Sequence, residues 1–161
     1  MKKAIVLLTI FALLFSFGCS KTVKYRNDLS AEEIMKGAPL YERSAETYDM
    51  YDKDFLDFFF EDIPTSDCVV LYSASQENID EFGIFHAADA ENTAKISDSV
   101  GKYLSETRDS QRAFIESYAA DELPKLDAAE VRIYGNYVAY AILSPEDMSV
   151  FFEHVENTLK E

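Results

Sequence analysis

The sequence predicts an α+β domain: an antiparallel sheet of about four strands with helices packed on one face, in the order α-α-β-β-α-β-β-α. Three observations carry this. A strand–turn–strand–helix unit occurs twice, at about 67–118 and 129–160. Each hairpin joins its strands by a connection too short for a crossover helix. Both second strands run directly into a capped helix.

Ser30-Ala31-Glu32-Glu33 fits a capping box, and Leu29 and Ile34 stand where a hydrophobic staple needs them, so a helix begins at about residue 31. Gly37 and Pro39 end it. Residues 46–62 interleave acids with aromatics, and Met50 or Tyr51, Phe55, Phe58 and Phe59 share a helical face, which predicts a helix over about 52–60, ended before Pro64. Asp67 to Ala74 is apolar and β-branched and reads as a buried strand. Ser73 to Asp80 is a polar turn, and Phe82 to Ala88 reads as the second strand. Asp89 caps a long helix over roughly 90–118, with Ile96, Val100, Leu104, Gln111, Phe114 and Tyr118 along one face. Asp121 to Leu126, holding Pro124, reads as a loop.

Glu130 to Tyr134, Gly135-Asn136 and Tyr137 to Leu143 form the clearest hairpin, because Gly and Asn tolerate positive φ. Tyr137 to Leu143 is apolar on both faces, as a central strand is. Ser144 and Pro145 start the last helix, whose buried stripe is Met148, Phe151, Phe152, Val155 and Leu159.

The chain has 161 residues, with 15 Lys and Arg against 30 Asp and Glu, a net charge of −15. This excess disfavours a partner with a phosphate backbone, so no nucleic acid is expected. Five Gly and four Pro exclude a collagen-like or linker-like chain, and 48% apolar residues exclude wholesale disorder.

Met1-Lys2-Lys3 is a basic start, followed by an apolar run from Ala4 to Phe17 broken only by Thr9 and Ser16. About fourteen apolar residues suit a signal peptide better than a membrane span, which needs about twenty. An uncleaved anchor is the alternative. Gly18-Cys19 resembles the lipobox of bacterial lipoproteins, although Ser16 stands where that family usually has Leu. The resemblance implies a lipid such as palmitate on Cys19, which would become the new N-terminus. The expected organisation is then 1–18 signal peptide, 19–28 lipidated tether and 29–161 domain. The tether carries Lys21, Lys24 and Arg26 against Asp28, which suits an anionic membrane surface. A lipidated Cys19 leaves Cys68 without a partner; without lipidation, a Cys19–Cys68 bridge stays open.

Three stretches, EFGIFHAADAENTA, RDSQRAFIESYAADELPKL and VRIYGNYVAYAI, resemble an uncharacterised family of bacterial lipoproteins, mainly Gram-positive, that carry a single domain of unknown function. The resemblance spans Phe82 to Leu143. It implies a surface lipoprotein with a compact α+β domain and brings no catalytic residues.

No metal, phosphate-loop or dinucleotide motif is present, so no cofactor is expected. His86 reads as a half-buried strand residue, His154 as a surface residue and Cys68 as a core thiol. Asp52, Asp54, Asp57, Glu61 and Asp62 lack the ligand spacing of a calcium loop. Arg108 and Arg112 at i, i+4 can bind a carboxylate or phosphate, or pair with acids of their own helix such as Glu116. With Tyr118, Asn136 and Tyr137 they form the candidate binding site. The expected function is a non-enzymatic, lipid-anchored extracytoplasmic module that binds a protein or envelope partner at the cell membrane. The alternatives are a small-ligand or cation-binding accessory to a transporter and, last, a hydrolase.

Overall fold

The structure, a computed structural model, describes residues 23–44, 47–60, 63–65 and 67–161. The expected signal peptide and Cys19 lie outside them. Among the described residues no helix is long and apolar enough to cross a membrane.

The chain runs α1 (Ala31–Lys36), α2 (Pro39–Ser44), β1 (Tyr48–Met50), α3 (Lys53–Phe59), β2 (Cys68–Ser73), β3 (Glu81–His86), α4 (Ala90–Tyr118), a 3-10 turn (Ala120–Glu122), α5 (Leu123–Ala128), β4 (Glu130–Tyr134), β5 (Tyr137–Ile142) and α6 (Pro145–Leu159). The helix starts follow their capping chemistry. Ser30 Oγ accepts from Glu33 N–H while Glu33 accepts from Ser30 N–H at 2.9 Å, the expected capping box. Asp89 caps α4 and Ser144 caps α6.

All strand pairs are antiparallel, in the order β1-β2-β3-β5-β4. The sheet thus has five strands, not about four. The added edge strand is β1, whose Asp49 lies opposite Tyr72. Three residues are too few to show an alternation, so the aromatic–acidic composition around it hid it. The first helix ends at Lys36 before Gly37, as expected, and a further short helix opens on Pro39. Pro124 sits in the first turn of α5 where a loop was expected. A missing N–H costs nothing in a first turn, since that group has no intrahelical partner anyway.

Helices cover both faces of the sheet, a second departure from expectation. Phe82 and Ile84 of β3 and Ala139 and Ala141 of β5 face α1 and α6, meeting Ile34, Met35, Phe151 and Phe152. Val70, Phe85, Val138 and Tyr140 face α4, meeting Ile96, Val100 and Leu104. A strand buried on both faces is apolar throughout. Every residue of β5 is buried, as its sequence led one to expect of a central strand.

α4 tracks the sheet only as far as Leu104. Beyond it the helix overhangs, and its far end rests on the 3-10 turn and α5. Ile115 is buried there, whereas Phe114 and Tyr118 are 57% and 77% exposed. Phe114 and Tyr118, expected on the buried face, therefore point outward.

The packed unit reaches upstream into the stretch read as tether. Tyr25 forms a bridge to Lys160, Arg26 N–H donates to Leu159 O at 2.8 Å, and the Tyr25 ring meets Tyr134 edge-on at 5.7 Å. Tyr137 Oη donates to Leu29 O at 2.7 Å. Gly135 turns the β4–β5 hairpin at φ 62°, and its Cα lies so close to Tyr25 that a Cβ would sit 3.1 Å from that side chain.

Candidate binding groove

The overhang of α4 and the short helix α3 form the two walls of a groove of about 1280 Å³. Pockets for small molecules typically hold about 300–1,000 Å³, so this is a large open cleft. On the α3 side the aromatics form a continuous ladder. Tyr72 stacks on Tyr51 at 4.2 Å, Tyr51 on Phe55 at 3.7 Å, Phe55 meets Phe59 at 4.2 Å, and Phe59 meets Tyr103 edge-on at 5.7 Å. Phe60 turns inward against Phe85 and Tyr140 and is 3% exposed. Phe58 and Phe59 stay 73% and 40% exposed. The segment is thus divided between core and surface. On the α4 side Phe114 and Tyr118 pair at 4.8 Å.

The floor is a buried carboxylate. Glu81, at the start of β3, is 6% exposed. One oxygen accepts from Tyr140 Oη at 2.7 Å and Tyr103 Oη at 2.8 Å; the other accepts from Tyr51 Oη at 3.0 Å and from Tyr103 Oη at 3.0 Å. Burial pushes the Glu81 carboxyl above its ordinary value of 4.5, while the three hydroxyls favour the ionised form and oppose the rise. The same burial and the adjacent carboxylate push all three tyrosines up, so they remain donors. Among the described residues no lysine, arginine or histidine pairs with Glu81.

Tyr140 reaches Glu81 because of Gly83. Gly83 lies opposite Tyr140 across the β3–β5 pair, and a Cβ on it would sit 2.7 Å from Tyr140 Cε1 and 2.8 Å from Val70 Cγ2. A glycine inside a strand marks such a close approach.

Beside the floor, Lys125 of α5 donates to Asp80 and Glu122 at 2.7 Å each and to Asn78 at 3.1 Å. Tyr48 Oη also donates to Asp80, at 2.7 Å. This network fixes α5 to the β2–β3 turn and leaves Lys125 fully paired. Lys102, on the groove wall, pairs with Glu106 at 3.6 Å.

The five residues expected to form a site lie apart. Arg108 and Arg112 project from α4 towards α5. Arg108 Nε donates to Leu126 O at 2.9 Å and Nη2 to Ala129 O, while Arg112 pairs with Asp127 and, at 4.0 Å, Glu116. Both guanidinium groups hold α5. Tyr118 stands on the rim of the groove. Asn136 and Tyr137 sit at the opposite end of β5. Asn136 O accepts from Ala87 N–H at 2.8 Å, and the Tyr137 ring stacks on His86 at 4.3 Å. Sequence reasoning missed Glu81, Tyr103 and Tyr140, and it noticed Tyr51 only as part of the aromatic segment. The available signal was an acid and a glycine opening an otherwise apolar strand, EFGIF.

Elsewhere, His86 Nδ1 bonds Asp67 at 2.9 Å and Nε2 bonds Asn27 at 2.8 Å, so both ring nitrogens are occupied. His154, expected at the surface, instead bonds Ile34 O at 2.9 Å and joins α6 to α1. Cys68 is a free thiol whose pKa burial raises, which makes it less reactive. Of the acidic run, Asp52 caps α3 and Asp57 pairs with Lys53, while Glu61 and Asp62 lie outside the described residues. Among the described residues no group of three or more His, Cys, Asp or Glu is placed to hold a metal ion.

A family model for a domain of unknown function, DUF4358, matches residues 46–143. The match takes in all five strands, α3 and α4, and therefore both walls and the floor of the groove. No curated protein and no solved structure matches the chain.

Proposed function

We propose, for a chain that belongs to the DUF4358 family of domains of unknown function, a non-enzymatic binding role exercised from the outer face of the cell membrane. The lipid on Cys19 is the anchor and the aromatic groove is the binding face. One observation carries the binding role: Phe58, Phe59, Phe114 and Tyr118 are left exposed on the two facing walls of one cleft. An exposed apolar patch of this kind, rimmed by polar groups, marks an interaction site in a soluble domain. The anchor rests on the basic start, the short apolar run and Gly18-Cys19. A hydrolase is less favoured, because His86 has no nucleophile on either nitrogen.

A photo-crosslinking benzophenone side chain at position 58 or 118 of the full chain, in producing cells, tests the groove. Adducts of one defined mass, read by intact mass spectrometry, are expected from both positions and not from 133, where exposed Ile133 lies on an edge strand. Adducts from all three positions, or from none, overturn the reading. Phe58→Ser and Phe114→Ser are expected to abolish the adduct formed at position 118 while changing stability by no more than about 0.5 kcal/mol, as surface substitutions do.

The anchor has a separate test. Cys19→Ala is expected to release the protein from the membrane fraction or leave it at precursor mass. Membrane attachment at the mature mass would refute lipidation of Cys19.

A further inference from the structure

We infer that the groove's ligand is a free organic cation, a primary or quaternary ammonium on an apolar, ring-bearing body. The charged head sits over Glu81 and the body lies between the aromatic walls. The inference rests on the reading of the groove as the binding face and adds the chemistry of its occupant.

Charge decides the head group. Among the described residues Glu81 meets only neutral tyrosine donors, and Lys102, the one lysine lining the groove, is already paired with Glu106. Lys125, next to the floor, is paired twice. Glu77 and Asp98 also line the cleft, with no ion-pair partner among the described residues. An anion would meet uncompensated carboxylates on every side. A cation would supply the opposite charge that the buried Glu81 lacks, in surroundings where such a pair is screened little.

The walls decide the body. Phe58, Phe114 and Tyr118 offer exposed ring surface within the same cleft. Ring–ring contact adds about 0.5–1.5 kcal/mol per pair beyond area burial, and an ammonium near an exposed ring gains about 0.5–1 kcal/mol.

The sheet edges decide between a free ligand and an extended peptide. A peptide strand gains affinity by pairing its backbone with an open edge. Neither edge strand, Tyr48–Met50 or Glu130–Tyr134, lines the groove. Its walls are side chains of two helices, which suits a ligand recognised by rings and charge.

The test uses the full chain with three probes of one shape: phenethylammonium, phenethyl alcohol and hydrocinnamate. The chain has ten tyrosines and no tryptophan, so tyrosine fluorescence reports binding beside the network, with calorimetry as the second readout. The cation is expected to bind at least about tenfold more tightly than the alcohol, with hydrocinnamate weakest. Glu81→Gln is expected to bring the cation down to the affinity of the alcohol and leave the alcohol unchanged. Glu146→Gln, which removes an exposed charge on α6, is expected to leave all three unchanged and so controls for the general acidity of the protein. Phe114→Ser is expected to weaken cation and alcohol alike. Equal affinity of cation and alcohol in the unmodified chain overturns the role of Glu81. Failure of all three probes at millimolar concentration overturns the ligand class, and the crosslinking pattern then shows independently whether the groove is the binding face.

Discussion

Replacing Glu81 by leucine is expected to lower the stability of the domain by about 2–5 kcal/mol, measured by urea denaturation near neutral pH. Leucine fills much of the space, so the loss comes from the tyrosines. Tyr140 and Tyr103 are buried and would keep hydroxyls with no acceptor, each costing about 1–3 kcal/mol. Removing donors and acceptor together avoids that penalty. The variant carrying Glu81→Leu with Tyr103→Phe and Tyr140→Phe is therefore expected to recover most of the lost stability. If Glu81→Leu alone is as stable as the unmodified chain, the network has no structural weight.

Glu81→Gln separates charge from shape. Because burial raises the Glu81 pKa in the folded state, the folded protein binds this proton more tightly than the unfolded chain does. The slope of unfolding free energy with pH is then negative for this group. Its stabilising contribution is complete below the ordinary value of 4.5 and is lost as pH rises through the higher folded value. The glutamine variant should thus gain stability relative to the unmodified chain between acid and neutral pH. An unchanging difference across that range would show that Glu81 does not titrate abnormally.

Gly83→Val is the other large effect. Even an alanine Cβ would meet Tyr140, Val70 and, at 3.2 Å, the Val69 carbonyl oxygen. The last is backbone of a central strand and cannot turn away. Overpacking of this kind costs about 1–3 kcal/mol, and valine, with two more carbons, belongs at or above the upper end. The displaced Tyr140 ring would also lose its bond to Glu81, so the near-ultraviolet tyrosine signal should change along with stability. Val70→Ala is expected to relieve only part of the damage, because it opens one of the three contacts. Full recovery in that double variant would place the strain at Val70 alone.

The periodic and capped elements were legible in the sequence. Ser30 with Glu33, Asp89 and Ser144 announced three helices, and Gly135-Asn136 announced the second hairpin, because a local hydrogen bond or a positive φ dictates the residue type. What depended on distant partners was not legible. β1 exists because Asp49 meets Tyr72, and nothing within its three residues says so. The two-sided cover of the sheet was hinted at by the wholly apolar β5, yet which helix lies on which face is set by tertiary packing. The candidate site fared similarly. Arg108 and Arg112 were noticed because few cations stand out in an acidic chain, and they turn out to hold α5. Glu81 passed unnoticed because its three hydroxyl donors come from β5, α4 and the segment before α3, far apart in the chain.

The docking of Tyr25 and Arg26 onto the end of α6 sets the reach of the molecule. With a lipid on Cys19, four residues, 20 to 23, would separate the anchor from Lys24, whose carbonyl accepts from Glu161 N–H, a distance of at most about 14 Å of extended chain. That end of the body also carries the β4–β5 turn and His86, the last residue of β3, bonded to Asn27. Glu81 lies at the other end of the same strand, five residues and about 17 Å away. On so short a connection, the end of β3 that carries Glu81 would be the end away from the anchor.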